Sequence, residues 1–285
     1  MKKAVAKIAI KSLLGVTGPA VILLCWHLYA GDHPNSQIVP SVGSVVDVLL
    51  HPTAQVQGFD CEPLAQSTLY SVLRMLTGFA LAVVSGIAIG LLMGAFKPVR
   101  YLLNPTISAA MTVSPLAWFP LAILSMKMAS ISSWLNGENL AYQYDTLDRL
   151  KFAVIVIIWV GAFFPIALNT LAGVDSVRHR HVEIAKSFGA SRWQILTKIV
   201  LPSMLPGVFT GLRLAGGIAW RVIVAAEMFP GTTGGLGYMI RFSNSESEPQ
   251  YAFAAIIVIA LVGVVFDGLL RYLQWRSSRW CAASV

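Results

Sequence analysis

The chain of 285 residues is 56% hydrophobic and only 12% charged, with a formal net charge of +8. Soluble domains carry about 25% charged residues, so an ordinary soluble enzyme and a disordered chain are both excluded. Three cysteines cannot all pair, which excludes a disulfide-built secreted domain, and the lipid bilayer is the solvent that suits such a surface.

A crossing helix needs about 20 mostly apolar residues. Six stretches meet that need, near 12–30, 72–96, 105–126, 152–173, 206–227 and 251–272. Their length argues against a β-barrel, whose strands are about 10 residues of alternating pattern. The fold class expected is therefore an all-α membrane protein with six transmembrane helices. The first stretch follows Met1-Lys2-Lys3, as a signal peptide would, but cleavage after Ala30 would put the large Leu28 at −3, so it is read as a span.

Lysine and arginine mark the cytoplasmic side. With six spans, 14 of the 21 basic residues fall on one side: the N-terminal segment, Lys97 and Arg100, the segment from Arg178 to Lys198, and the tail. Four, Lys127, Arg149, Lys151 and Arg241, fall on the other. Both termini are thus expected in the cytoplasm, and the net charge needs no nucleic acid to explain it.

Along the chain, the outer loop 31–68 contains Val42, Val45, Val46, Leu49 and Leu50 at helical spacing, which predicts a short interfacial helix. The second stretch has a small residue at every fourth position, Gly78, Ala82, Gly86, Gly90 and Gly94. Such a stripe lets another backbone come close; packing inside one subunit is the plainer reading and a dimer seam the sharper one. Ser114-Pro115-Leu116-Ala117-Trp118-Phe119-Pro120 sets two prolines inside the third stretch, which must bend it. Whether that bend lines a pathway or only packs stays open. The outer loop 127–151 is polar and aromatic, with Trp134, Tyr142, Tyr144, Asp145 and Asp148.

The segment between the fourth and fifth stretches is the most informative. Val182 to Phe188 reads as a helix stopped at Gly189, a residue suited to the left-handed turn at a helix end. Ser191 and Gln194 then form a capping box, and a second helix carrying Ile195, Leu196, Ile199 and Val200 is expected to close at Pro202. Two short helices outside the bilayer add little stability, so contact with a partner explains them better.

Glu183-Ile184-Ala185, Gly189 after three intervening residues, and Ile199-Val200-Leu201-Pro202 resemble the EAA loop of the permease subunits of bacterial ABC importers, with Ile184 in place of the first alanine. Residues 66–125 and 152–272 are similar to that family throughout. Ser114-Pro115-Leu116-Ala117-Trp118, Gly211-Leu212-Arg213 and Val224-Ala225-Ala226-Glu227 resemble its nitrate/sulfonate/taurine/bicarbonate branch. Segment 127–151 departs, since relatives have a shorter link there.

The resemblance implies a single permease domain over 1–285 with the type I importer fold. Its family core is about 66–272, its coupling loop 174–205. It further implies a bacterial inner-membrane location, a permease homodimer, cytoplasmic ATPases that hold the ATP and Mg, and a periplasmic or lipid-tethered binding protein. The substrate class implied is a small anion. Coupling to the ATPase falls to Glu183, Ala185, Gly189, Ile199, Leu201 and Pro202. The chain has no Gly-Lys dipeptide, so it cannot supply the lysine-ended phosphate loop of an ATPase, and no cofactor is expected on it.

Charges inside spans face a bundle interior or a watery cavity. Arg213, Arg221 and Glu227, with Trp220 and the bend residues Ser114, Pro115 and Trp118, are therefore the candidates for the translocation pathway. Arg221 either gives that pathway a positive potential for an anion or pairs with Glu227. Arg213 could instead snorkel to the cytoplasmic surface. Trp220 favours packing over a substrate platform. Gly231 to Gly237 is read as a turn near the mouth. His179 and His181 lack a third metal ligand nearby, and no catalytic set converges, so catalysis is not expected. The alternative function is a stand-alone secondary anion transporter or channel, but such folds show internal repeats with paired broken spans, which this sequence lacks.

Overall fold

The computed structural model of the chain describes residues 17–18, 21, 24–30, 39–55, 61–126, 151–177 and 179–282. About half of the first predicted span and nearly all of the 127–151 loop lie outside the described residues. Regular structure is helical: α1 (Val42–Leu50), α2 (Leu64–Ala95), α3 (Lys97–Met111), α4 (Phe119–Met126), α5 (Phe152–Asp175), α6 (His179–Ser187), α7 (Arg192–Ile195), α8 (Leu201–Glu227), α9 (Leu236–Ser245) and α10 (Pro249–Ala282).

Four described helices are long and apolar enough to cross a membrane: Leu64–Ala95, Phe152–Asp175, Trp193–Glu227 and Pro249–Arg276. Lys97–Met111 and Pro115–Ser125 pass together as a fifth but are bent by 98°. The bend at the two prolines was legible in the sequence, although the helical pair begins at Lys97 rather than near 105. Between α3 and α4 the backbone tightens into a 3₁₀ turn, Pro115–Trp118, in which the Ala117 N–H donates to the Ser114 carbonyl at 2.9 Å.

The small-residue stripe of α2 packs within the subunit. A Cβ placed on Gly78, Gly86, Gly90 or Gly94 would come within 2.5–2.9 Å of Ile158, Ile166, Thr170 or Val174 respectively. Each partner lies 80 positions on, so α2 and α5 run parallel with their backbones nearly touching. Trp159 Nε1 donates to Ser85 Oγ at 2.9 Å in the same interface. Parallel packing requires the chain to return between the two helices, and the bent α3–α4 pair occupies that stretch.

Helix α8 packs antiparallel on α5, with Gly207 against Gly173 and Asn169, and Gly211 against Asn169 and Pro165. It also runs antiparallel to α10, with Gly216 against Phe266 and Leu270, and Trp220 against Gly263. These contacts leave two buried clusters that both draw on α5: a larger one with the fully buried Ile157, Ile158, Ala162 and Ile166, and a smaller one of Met93, Ile107, Ala167 and Leu171. The predicted short helix is present as α1, capped by Ser41, whose Oγ accepts from the Ser44 N–H at 3.2 Å. Val45 is buried, and α1 lies on α10.

Candidate functional site

Three features bear on function: the turn between α6 and α7, the open face of α8, and a buried charge cluster at the Glu227 end of α8.

Helix α6 ends in a Schellman turn. The Gly189 N–H donates to the Lys186 carbonyl at 2.9 Å, and the Ala190 N–H to the Ala185 carbonyl at 3.0 Å. This requires the left-handed region, and Gly189 has φ 78°, where an L side chain costs about 1–2 kcal/mol. The capping box follows as expected: the Gln194 N–H donates to Ser191 Oγ at 3.3 Å and the Ser191 N–H to Gln194 Oε1 at 2.8 Å. Ile184, Phe188 and Trp193 are 55%, 87% and 71% exposed. Three large apolar side chains are therefore exposed on one capped turn, uncovered among the described residues, and Glu183 is exposed beside them. Ala185 and Ile199 are partly buried, and Leu201 and Pro202 are exposed.

Pro202 does not close the second helix. Helix α7 runs through a π turn, Leu196–Val200, directly into α8. The missing proline N–H falls in the first turn of α8, where a proline is tolerated, because the π turn has already shifted the hydrogen-bond ladder. Residues 193–227 thus form one continuous helical rod, and the coupling segment is an extension of a spanning helix rather than a separate element.

One face of that rod is open. Thr210, Leu214, Gly217 and Arg221, at intervals of four, three and four, are all exposed, and a Cβ on Gly217 would meet nothing within 4 Å. With Arg213, Asp267 and Gln274 they line a cavity of about 420 Å³. Arg213 Nε donates to Asp267 Oδ1 at 2.8 Å, and Arg271 Nη2 to Asp267 Oδ2 at 2.8 Å. Two cations share one carboxylate. Arg221 Nε donates to the Gly217 carbonyl at 3.0 Å, and no carboxylate among the described residues joins it in an ion pair. The face therefore carries net positive charge, which lipid does not tolerate cheaply.

Arg221 and Glu227 do not pair. Glu227 is fully buried, and Arg74 Nη1 donates to its Oε1 at 2.8 Å. Ser71 Oγ donates to Oε2 at 2.7 Å and the Gly237 N–H to Oε2 at 3.0 Å. Arg74 spends its remaining reach on the chain after α8, donating to the carbonyls of Gly234 and Thr233 at 2.8 Å each. Gly235, at φ 108°, lies so close that a Cβ there would sit 2.4 Å from the Glu227 carboxyl carbon. The glycine-rich turn wraps a buried ion pair instead of standing free. Glu227 and Trp220, expected along the pathway, are core residues; the Trp220 indole donates to the Ile259 carbonyl at 2.9 Å. Among the bend residues, Ser114 and Trp118 are exposed, while Pro115 abuts Gly161 together with Ile218 of α8.

Arg74 and Asp267 escaped the sequence reading. The signal available was that each charge inside an apolar helix needs a partner, which identifies both residues but cannot choose their mates. Among the described residues no group of three or more His, Cys, Asp or Glu side chains could hold a metal ion.

Residues 86–279 match the family model of the binding-protein-dependent transport system inner membrane component. A putative ABC transporter permease protein of Methanocaldococcus jannaschii is 37% identical over 276 residues, 96% of this chain and 94% of that one. The taurine transport system permease protein TauC of Escherichia coli is 34% identical over 92% of this chain and 87% of its own length. In fold, the chain resembles the crystal structure of a bacterial alginate ABC transporter in complex with an alginate pentasaccharide-bound periplasmic protein, with a TM-score of 0.56 at 18% identity, covering 93% of this chain and 94% of that one. The chain thus belongs to the family of binding-protein-dependent transport system inner membrane components, as an ABC transporter permease similar to those of taurine, bicarbonate, nitrate and sulfonate transport.

Proposed function

We propose that this chain is the permease subunit of an importer that moves a small anion into the cytoplasm, driven by a separate ATPase that docks on the turn around Gly189. In this reading the chain crosses the inner membrane six times with both termini in the cytoplasm, two copies face each other, and a binding protein delivers the anion from outside. ATP and Mg belong to the partner subunit.

The observation that carries the reading is the exposed apolar cluster of Ile184, Phe188 and Trp193 on a turn fixed by a Schellman motif and a capping box. A cap at both helix ends makes the turn stiff, and its continuity with α8 lets a push on α6 become a tilt of the rod that carries Arg213 and Arg221. Those cations, on a face that lipid disfavours, support a pathway lined by α8 and closed by a second copy. Arg221, with no carboxylate partner among the described residues, gives that pathway its positive potential, and its planar fork suits oxyanions and carboxylates. The similarity to taurine and bicarbonate permeases supports the same substrate class.

The docking half is tested by replacing Phe188 with a photo-crosslinking benzoylphenylalanine and irradiating intact membranes. The reading predicts one dominant adduct, with an ABC ATPase. Adducts to lipid alone, or to no ATPase, would refute it.

A further inference from the structure

A second cavity, of about 500 Å³, lies at the opposite end of α8 from the coupling turn. It is framed by Met228, Ile240, Arg241, Asn244, Ser247 and Phe253, among others. Its walls are fixed at both ends. The start of α9 is held by the Gly237 N–H on the buried Glu227 carboxylate. The end of α9 is tied to α10 through Ser243, whose Oγ donates to the Glu248 carbonyl and accepts from the Ala252 N–H at 3.1 Å. Between them the turn passes through Ser247 at φ 62°, the single non-glycine residue with positive φ among those described.

Apart from Ser243, whose hydroxyl is already engaged by the Glu248 carbonyl and the Ala252 N–H, the polar side chains lining this cavity carry hydrogen-bond donors. The Arg241 guanidinium sits 5.1 Å above the Tyr238 ring, which steadies it without neutralising it. No carboxylate among the described residues forms an ion pair with Arg241, and neither Glu246 nor Glu248 lines the cavity. The Asn244 amide and Ser247 hydroxyl stand on the same wall, exposed. Met228, Ile240 and Phe253 supply an apolar floor. A cavity within the range of small-molecule sites, with one planar cation, two neutral polar groups and an apolar base, has the chemistry to bind a small oxyanion carrying a short apolar group.

We propose that this cavity is an oxyanion-binding subsite, with Arg241 as its charged ligand, where the transported anion is held before it enters the pathway. Its role rests on the importer reading above; its binding chemistry does not.

The test uses the full chain in its membrane complex, solubilised in detergent so that both faces are open, with Cys25, Cys61 and Cys281 replaced by Ala and Ser247→Cys added. Rates of modification by sulfonatoethyl and trimethylammonioethyl methanethiosulfonate are each divided by the rate for a free small thiol. The proposal predicts a normalised preference of roughly tenfold for the anionic reagent, the effect of reversing one unit charge at about 6 Å from the guanidinium in a water-filled site. Ethanesulfonate should slow modification by the neutral methyl reagent several-fold. Arg241→Gln should abolish both effects and Arg241→Lys should keep the preference. Ala252→Phe, which fills the cavity and spares the charge, should abolish protection by ethanesulfonate alone. Absence of anion preference, or protection that survives Arg241→Gln or Ala252→Phe, would overturn the subsite. If no ATPase accompanies the chain, the importer reading fails instead, and the same rates measured on the chain alone still decide the binding chemistry.

Discussion

Arg74 Nη1 and Glu227 Oε1 lie 2.8 Å apart across 153 residues of sequence, and neither side chain has any exposed surface. The pair joins the first third of α2 to the last residue of α8, and its surplus donors hold the turn that leads into α9. A buried pair of this kind contributes little net stability by itself. Its value is in what it fixes: the Glu227 end of the helical rod whose other end carries the coupling turn.

Removing one partner leaves an uncompensated buried charge. Arg74→Met and Glu227→Leu should each destabilise the chain by about 3–5 kcal/mol, read as a loss of thermal stability in detergent. The double variant should lie well short of the sum of the two, because no charge is left stranded. Additive losses in the double-mutant cycle would show that the two side chains act independently.

The contact between α2 and α5 should tolerate no added bulk. Gly86→Leu and Gly90→Val place side chains where Ile166 and Thr170 already lie within 3 Å, so folded yield should collapse on size-exclusion chromatography. Gly217→Ala, on the open face of α8, should leave the isolated chain folded. A loss of stability confined to the assembled complex would show that a second subunit covers that face.

Thiol reactivity gives a pH test outside the spans. Burial, and then the neighbouring Glu62 carboxylate, push the Cys61 thiol up to about 11 from its ordinary 9.0. The unfolded thiol ionises first as pH rises, so this contribution to stability is fully present below pH 9 and is lost as the pH climbs from 9 towards 11. With Cys25 and Cys281 replaced by Ala, alkylation of the folded chain by iodoacetamide should stay slow through pH 9 and rise steeply only near 11. The unfolded chain should react already near pH 9. Identical profiles for the two states would contradict the buried environment.

Transport should depend on Arg221, the cation of α8 that forms no ion pair among the described residues. Arg221→Gln should lower uptake of the anion by roughly tenfold or more, as the loss of one charge at close range predicts, while the complex still assembles. Unchanged uptake in proteoliposomes would remove Arg221 from the pathway.

Much of this architecture was legible because it is local. The Gly189 turn, the Ser191–Gln194 capping box and the bend at Pro115 and Pro120 follow from residues within a few positions of one another. Periodicity marked the α2 stripe, and the plainer of its two readings holds. The pairing of Glu227 with Arg74 was not legible. Arg221 is six residues from Glu227 on the same helix and was the nearer candidate, but a spacing of six sets the two side chains about 120° apart around a helix with 3.6 residues per turn, on different faces. The π turn before Pro202 was hidden for a different reason: proline reads as a stop, and only the three-dimensional path shows the ladder shifting ahead of it.

The most direct test of the central claim is ATP hydrolysis by the complex purified through a tag on this chain and reconstituted in liposomes. It would be measured with the binding protein and, in turn, taurine, ethanesulfonate, nitrate and bicarbonate, for the native chain and for Gly189→Glu. The account predicts co-purification of an ATPase, stimulation of hydrolysis by an anion of this set, and loss of that stimulation in Gly189→Glu, where a charged side chain would be strained at φ 78° and stand between α6 and its partner. An absent ATPase, or full stimulation in the variant, would contradict it.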